Sequence, residues 1–215
     1  MTVTDGGYSN VVNLATLKRE YLNNNLGNVI LESGPAWDIM VESDGVMIAA
    51  GAEDIERMAA FTRKVAKAFA QSLLEQNETQ VQSGIIIAFD RSARSPYIGI
   101  ETACTLGYHD FPVHILPGPV HPHFVSFAIR YLQACGGVLI SGDSNDTINF
   151  QRVKIFCENG QPAEAAKLQK IMERIEQVEE GSIKVASERE MILSGRLNFI
   201  GKEVKDAYLL RQKLV

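Results

Sequence analysis

Three short apolar runs separated by helical patterns predict an α/β fold. The expected form is a three-layer α/β/α sandwich around a mostly parallel sheet, with an N-terminal hairpin added. The runs are Gly84-Ile-Ile-Ile-Ala-Phe89, Pro112-Val-His-Ile-Leu116 and Val138-Leu-Ile140. The first and third are continuously apolar and the second nearly so, as befits strands covered by helices on both faces. Between them lie Tyr97 to Leu106 and His123 to Ala134, whose spacing is helical. The order β-α-β-α-β makes two crossovers, which are right-handed in nearly all parallel sheets.

Taken in order, the chain opens with helical spacing from Leu14 to Asn25 that stops at Asn23-Asn-Asn-Leu-Gly27, and Val29 to Leu31 reads as a short strand. Trp37, Ile39 and Val41, then Val46 and Ile48, alternate around Ser43-Asp44-Gly45, a hairpin signal in which Trp37 reads as an anchor before it reads as a recognition residue. Glu53 to Gln76 is the best helix, its stripe running through Met58, Phe61, Val65, Ala68, Phe69 and Leu73. Pro117, Gly118, Pro119 and Pro122 break the chain after the second run, and Gly136-Gly137 ends the helix before the third. Gln151 to Cys157 alternates and is expected at a sheet edge. Pro162 opens a helix to about Glu179, and Phe199 to Val215 is a last helix with Phe199, Val204, Tyr208 and Leu214 as its contacts. The expectation is a single domain, 1–215, with its sheet core at about 83–160, an extension over 1–82 and C-terminal helices over 161–215.

The 215 residues are 46% hydrophobic and 22% charged, ordinary for a globular protein. A net charge of −5 without a basic cluster argues against nucleic acid and anionic membranes as partners. Cys104, Cys135 and Cys157 form no C-x-x-C pair and read as free thiols in a reducing compartment. The polar N-terminus lacks the apolar run of a signal peptide, and no run approaches the roughly 20 residues of a membrane span, so the expected location is the cytoplasm.

Chemistry is expected where strands of an open α/β sheet end. Val138 to Ile140 runs straight into Ser141-Gly142-Asp143-Ser144-Asn145-Asp146. These small groups let backbone N–H groups and side-chain oxygens converge on an anion or metal. The same string also reads as a polar strand-to-strand turn. Asp143 and Asp146 are placed to share a cation, but a hard cation wants more oxygens than two carboxylates give, and no metal is expected. His121 and His123 flank Pro122 in an H-x-H pattern without a third zinc ligand, so they read as exposed or helix-capping. His109 and His114 look structural. Asp90 ends the first run at the same sheet edge as Asp143, and either braces the loop or caps the chain before Pro96.

Four strings resemble domain one of the α-D-phosphohexomutases, in the phosphopentomutase and glucose-1,6-bisphosphate-synthase branch of the phosphoglucomutases. They are Gly84 to Asp90, Pro119-Val-His-Pro-His-Phe-Val-Ser-Phe127, Ala134-Cys-Gly-Gly-Val-Leu-Ile-Ser141 and Val153 to Gly160. The likeness covers most of the chain and is best from Ser83 to Gly160. It implies a family of four-domain enzymes. In these, domain one passes a phosphoryl group from a phosphoserine, domain two holds magnesium, domain three reads the sugar and domain four binds its phosphate.

By the same resemblance, the T-A-S-H-N-P loop of the family falls on Ser141 to Asp146, so the phosphoserine position is Asp143, its neighbour is Ser144, and Asn145 alone persists. The F-G-T-A-G-L-R motif falls on Ser33 to Ile39, with Ile39 at the arginine. The D-x-R motif gives Asp90-Arg91-Ser92, its arginine displaced, and N-G-Y-K falls within Asn149 to Val153. Asp143 imitates some of a phosphoserine's charge but carries no transferable phosphoryl group. The resemblance thus implies one domain of four, inactive alone, with Asp143 at the catalytic position and Ser141, Ser144 and Asn145 as substrate-binding residues. Magnesium is implied only if the family's activity is retained. The expected role is binding: to a full-length mutase, to a second copy, or to a sugar phosphate. The rivals are an intramolecular phosphotransferase of carbohydrate metabolism working within an assembly, a small phosphatase using Asp143, and a partial gene product with no role of its own.

Overall fold

The computed structural model describes residues 39–41, 45–50, 55–76, 82–144 and 149–213. Within them seven strands form one sheet: β1 (Ile39–Val41), β2 (Gly45–Ala50), β3 (Ile85–Phe89), β4 (Val113–Pro119), β5 (Gly136–Ser144), β6 (Asn149–Cys157) and β7 (Leu197–Phe199). Their spatial order is β1-β2-β6-β5-β3-β4-β7. Neighbours from β5 through β3 and β4 to β7 are parallel, and those from β5 through β6 and β2 to β1 are antiparallel. Five strands, β2, β3, β4, β5 and β7, therefore point one way, and β6 and β1 point back. All of this lies in one compact unit, Ala36–Val215; a second unit, Met1–Pro35, lies outside the described residues.

Among the described residues six α-helices accompany the sheet: α1 (Ile55–Gln76), α2 (Ser95–Tyr108), α3 (Pro122–Leu132), α4 (Ala165–Gln177), α5 (Glu188–Leu193) and α6 (Lys202–Gln212). The predicted stripe of α1 is its buried face: Met58, Phe61, Val65, Ala68 and Phe69 are at most 1% exposed. Burial of each large side chain contributes about 1.5–3 kcal/mol, which outweighs the modest intrinsic preference of the helix. α1 packs on α2 and α4, while α3 and α6 share a cluster with Ile86, Ala88 and Leu139.

Gly136 and Gly137 show that the two helix layers lie on opposite faces. A Cβ at Gly136 would stand 3.0 Å from the Phe69 ring of α1, and one at Gly137 would stand 2.8 Å from Ile129 Cδ1 of α3. Successive strand residues face opposite ways, so both helices press directly on the β5 backbone.

The structure departs from the sequence expectations at several points. Ser141 to Ser144 is not a loop: it continues β5, pairing with Arg152, Gln151, Phe150 and Asn149 of β6. Strand pairing satisfies every second backbone group of these polar residues, which hydropathy does not register. β6 is not an edge, because the β1–β2 hairpin adds to its open side. β4 runs on through Pro117 and Pro119, since proline is tolerated where the ladder needs no N–H, and its register against β3 shifts near Phe89. α3 ends at Leu132 through Gln133 in the left-handed conformation, φ 54°, rather than at the glycine pair.

After a 3-10 turn at Glu180–Ser182, two elements come that periodicity does not mark. Ser187 and Glu190 form a capping box that starts α5, and Met191 inserts against Gly107 of α2. Phe199 does not open the last helix: it ends β7, which joins β4 as a parallel edge strand, and α6 starts at Lys202. Val204 is buried and Tyr208 packs on Phe124 and Phe127, as expected of the last helix. The expected helix at Leu14–Asn25, the strand at Val29–Leu31, Trp37 and Leu214 lie outside the described residues. No helix among the described residues is long and apolar enough to cross a membrane.

Candidate functional site

The parallel strands β3, β4 and β5 end at one side of the sheet, where β5 continues past its last pairing with β3 at Phe89–Ile140. From Ser141 onward β5 has only β6 as a ladder partner. Asp90, the first residue after β3, takes over where that strand stops. Its backbone N–H donates to the Ile140 carbonyl at 3.0 Å. Its carboxylate accepts at Oδ2 from the Gly142 N–H at 3.0 Å, and at Oδ1 from the Ser92 N–H at 2.9 Å and the Ser95 hydroxyl at 2.7 Å. Asp90 thus both braces β5 and holds the turn into α2, the two roles that the sequence left open. Hydrogen bonds to a carboxylate are stronger than neutral ones, roughly twofold.

A second brace comes from Gln151, opposite Gly142 in the ladder and 1% exposed. Its side-chain amide donates to the carbonyls of Ser141, at 3.0 Å, and Arg152, at 3.3 Å. Ser95 and Gln151 were not singled out in the sequence. The signal for Ser95 is present, since Asp90-Arg-Ser-Ala-Arg-Ser95-Pro96 carries an acceptor, a hydroxyl and a proline at a helix start. Gln151 offers none, because a buried glutamine looks like a surface one until its strand is known to be interior.

Of the predicted site residues, Ser141 is half-buried, with its carbonyl held by Gln151. The backbone register places Asp143 and Ser144 opposite Phe150 and Asn149. Asn145 and Asp146 lie outside the described residues, as do the motif positions from Ser33 to Asp38, and Ile39 opens β1. In the displaced D-x-R motif Arg91 is exposed, while half-buried Arg94 reaches the Met58 sulfur at 3.9 Å.

Beneath the site, α1 and α2 are joined by a polar network. Arg63 donates to Glu101 at 2.9 Å, and the Tyr97 hydroxyl donates to Glu56 at 2.9 Å. Burial first, then the Glu101 and Glu56 carboxylates, push the Tyr97 phenol well above its usual range. This network positions Tyr97 and the start of α2 and leaves no free acid or base there.

The remaining candidates take structural places. His121 precedes α3 without capping it through its side chain, and both it and His123 are exposed. Burial lowers the pKa of His114, whose Nδ1 is enclosed without a hydrogen-bond partner, and that of His109, which is lowered further by Lys67. None of the three cysteines is in a disulfide; the Cys135 thiol donates to the Gly84 carbonyl, and burial pushes it up to about 11. Among the described residues no three His, Cys, Asp or Glu side chains gather as a metal site. Asp90 alone does not make a magnesium site, which takes several oxygen ligands, and no chemical step here runs through one.

Comparison with known proteins agrees with this architecture. Residues 40–182 match the family described as phosphoglucomutase/phosphomannomutase, alpha/beta/alpha domain I. A phosphoglucomutase of Staphylococcus saprophyticus is 27% identical over 154 residues, which are 71% of this chain and 27% of that relative. Two solved structures share the fold, each with a TM-score of 0.54. A phosphoglucomutase/phosphomannomutase family protein from Burkholderia thailandensis is 16% identical, covering 80% of this chain and 36% of that one. Parafusin, a phosphoglucomutase from Paramecium in an open form, is 14% identical, covering 84% and 37%. The chain spans about a quarter of the curated relative it matches. By its sequence match and its sheet, it belongs to the phosphoglucomutase/phosphomannomutase family, as the α/β/α domain I.

Proposed function

We propose that this domain does not transfer phosphoryl groups by itself and serves as a binding or interaction module in the cytoplasm. The observation that carries the reading is the state of the strip Ser141–Ser144. The position that the family resemblance assigns to a phosphoserine is Asp143, and its backbone is zipped to Phe150 of β6. The neighbouring Gly142 N–H and Ser141 carbonyl are engaged by Asp90 and Gln151. Phosphoryl transfer depends on a nucleophile in line and on donors free to face the transferring group. Neither a hydroxyl at position 143 nor a free Gly142 N–H is offered here.

The partner is a full-length relative or a second copy. Support comes from apolar side chains left open beside the last elements: Leu193 is 76% exposed, Phe199 50% and Leu210 62%. Where such open apolar groups adjoin, they mark surfaces that another chain or domain covers.

The test is to assay the purified chain on glucose 1-phosphate and ribose 1-phosphate, with magnesium and a bisphosphate activator. No turnover above background is expected. Turnover that Asp143→Ala abolishes would sink the reading and favour the enzyme, and an acyl phosphate trapped at Asp143 would favour the phosphatase.

A further inference from the structure

A groove of about 970 Å³ lies along α3, closed on one side by α6 and on the other by the turn after β6. Its walls include Phe127, Phe156 and Tyr208, with Pro122 and Pro162. Arg130, Arg211, Gln161 and Gln212 supply polar groups, beside His123 and Ser126. Neither Asp90, Ser141, Gly142 nor Gln151 lines it, so it is separate from the strip described above.

Three features point to a ligand. First, the volume is at the upper end of small-molecule sites, roughly 300–1,000 Å³, and such sites combine an apolar lining with a few polar groups. Second, none of the lining residues is acidic, although the whole chain carries −5. Among the described residues no carboxylate pairs with Arg130 or Arg211. Arg130 donates one N–H to the Asn159 carbonyl at 3.3 Å, a contact that orients the guanidinium without neutralising it. Third, Tyr208 is fixed as a flat wall, its ring 5.3 Å from that of Phe127 and 5.1 Å from that of Phe124, and its oxygen accepts from the Gln212 amide at 2.8 Å.

We propose that this groove binds a small phosphate monoester carrying a planar ring. The ring lies against the aromatic wall, and the phosphate meets Arg130 and Arg211. Aromatic faces pair with flat π-systems at low entropic cost, because Tyr208 is already held in place. Guanidinium groups take phosphate oxygens in forked, charge-assisted bonds. Neither half suffices: a bare anion leaves the aromatic wall unused, and an uncharged ring leaves two cations without a partner.

The experiment is titration calorimetry of the full chain with adenosine monophosphate as the probe, beside adenosine alone and inorganic phosphate alone. The monophosphate is expected to bind saturably and at least about tenfold more tightly than either fragment, and Arg130→Gln and Arg211→Gln are each expected to weaken it about tenfold. Both arginines are exposed, so the variants should keep the parental melting temperature and circular dichroism. Absence of binding, equal binding of phosphate or of adenosine, or affinity unchanged in both variants would each overturn the proposal.

Discussion

The two halves of β5 make opposite use of the same strand. From Gly136 to Ile140 it lies between β3 and β6, with helices on both faces, and Val138, Leu139 and Ile140 are at most 2% exposed. From Ser141 to Ser144 it has left β3 behind and is held by β6 on one side and Asp90 on the other. The first half is fixed by apolar burial and the second by directed polar contacts. The difference teaches that the candidate site is a polar extension of a rigid strand, with a position set by a few named hydrogen bonds.

That comparison can be broken from either end. Leu139→Ala in the buried half should cost about 2–5 kcal/mol of stability, read by urea unfolding. A cost below that of any change in the polar half would refute the division. Asp90→Ala should cost less, about 1–3 kcal/mol, through the stranded Gly142 N–H and Ser95 hydroxyl. Its signature is local: hydrogen exchange at Gly142 should quicken while that at Leu139 stays protected. Equal acceleration at both residues would mean that the strand is held as one unit.

A smaller effect comes from pH. Burial lowers the His114 pKa below 6.5, and a backbone hydrogen bond with Ser83 only partly offsets it. The folded state therefore binds the proton less readily than the unfolded chain, so this contribution is intact above about pH 6.5 and is lost as pH falls below it. Protonation would also place an N–H at the enclosed Nδ1, which has no partner. Melting temperature should fall between pH 7 and 5, and His114→Leu should make that fall shallower; an unchanged slope would exclude the residue. The smallest effect belongs to Ser141→Ala, within about 0.5 kcal/mol, because Gln151 binds the backbone carbonyl there and not the hydroxyl.

Much of the parallel half was legible in the sequence. Continuous apolar runs located β3 and β4 and the buried half of β5, and the 3.6-residue stripe located α1 with its buried face. The β1–β2 hairpin was legible too, with Ile39 opposite Ile48 as the alternation implied. The polar half of β5 was not, because serine, glycine and aspartate favour turns locally and only the long-range pairing with β6 makes them a strand. For the same reason β6 read as an edge: alternation reports which faces are covered, not what lies beyond each side of the ladder. β7 is three residues long, too short for any periodicity to show. Asp90 was visible as a strand-ending acid, but its link to Gly142 spans 52 positions and belongs to the tertiary fold alone.

Gly136 and Gly137 carry a mechanical consequence. Where Phe69 and Ile129 press on them from opposite faces, the middle layer of the sandwich is reduced to bare main chain. The Phe69 and Ile129 side chains then meet the same stretch of main chain and share a common stop. A displacement of α1 toward the sheet has no side chain to compress there and must be taken up by β5 itself, five residues before the polar extension begins. The glycine pair therefore works as a bearing between the layers, and an added methyl group would require Phe69 or Ile129 to give way.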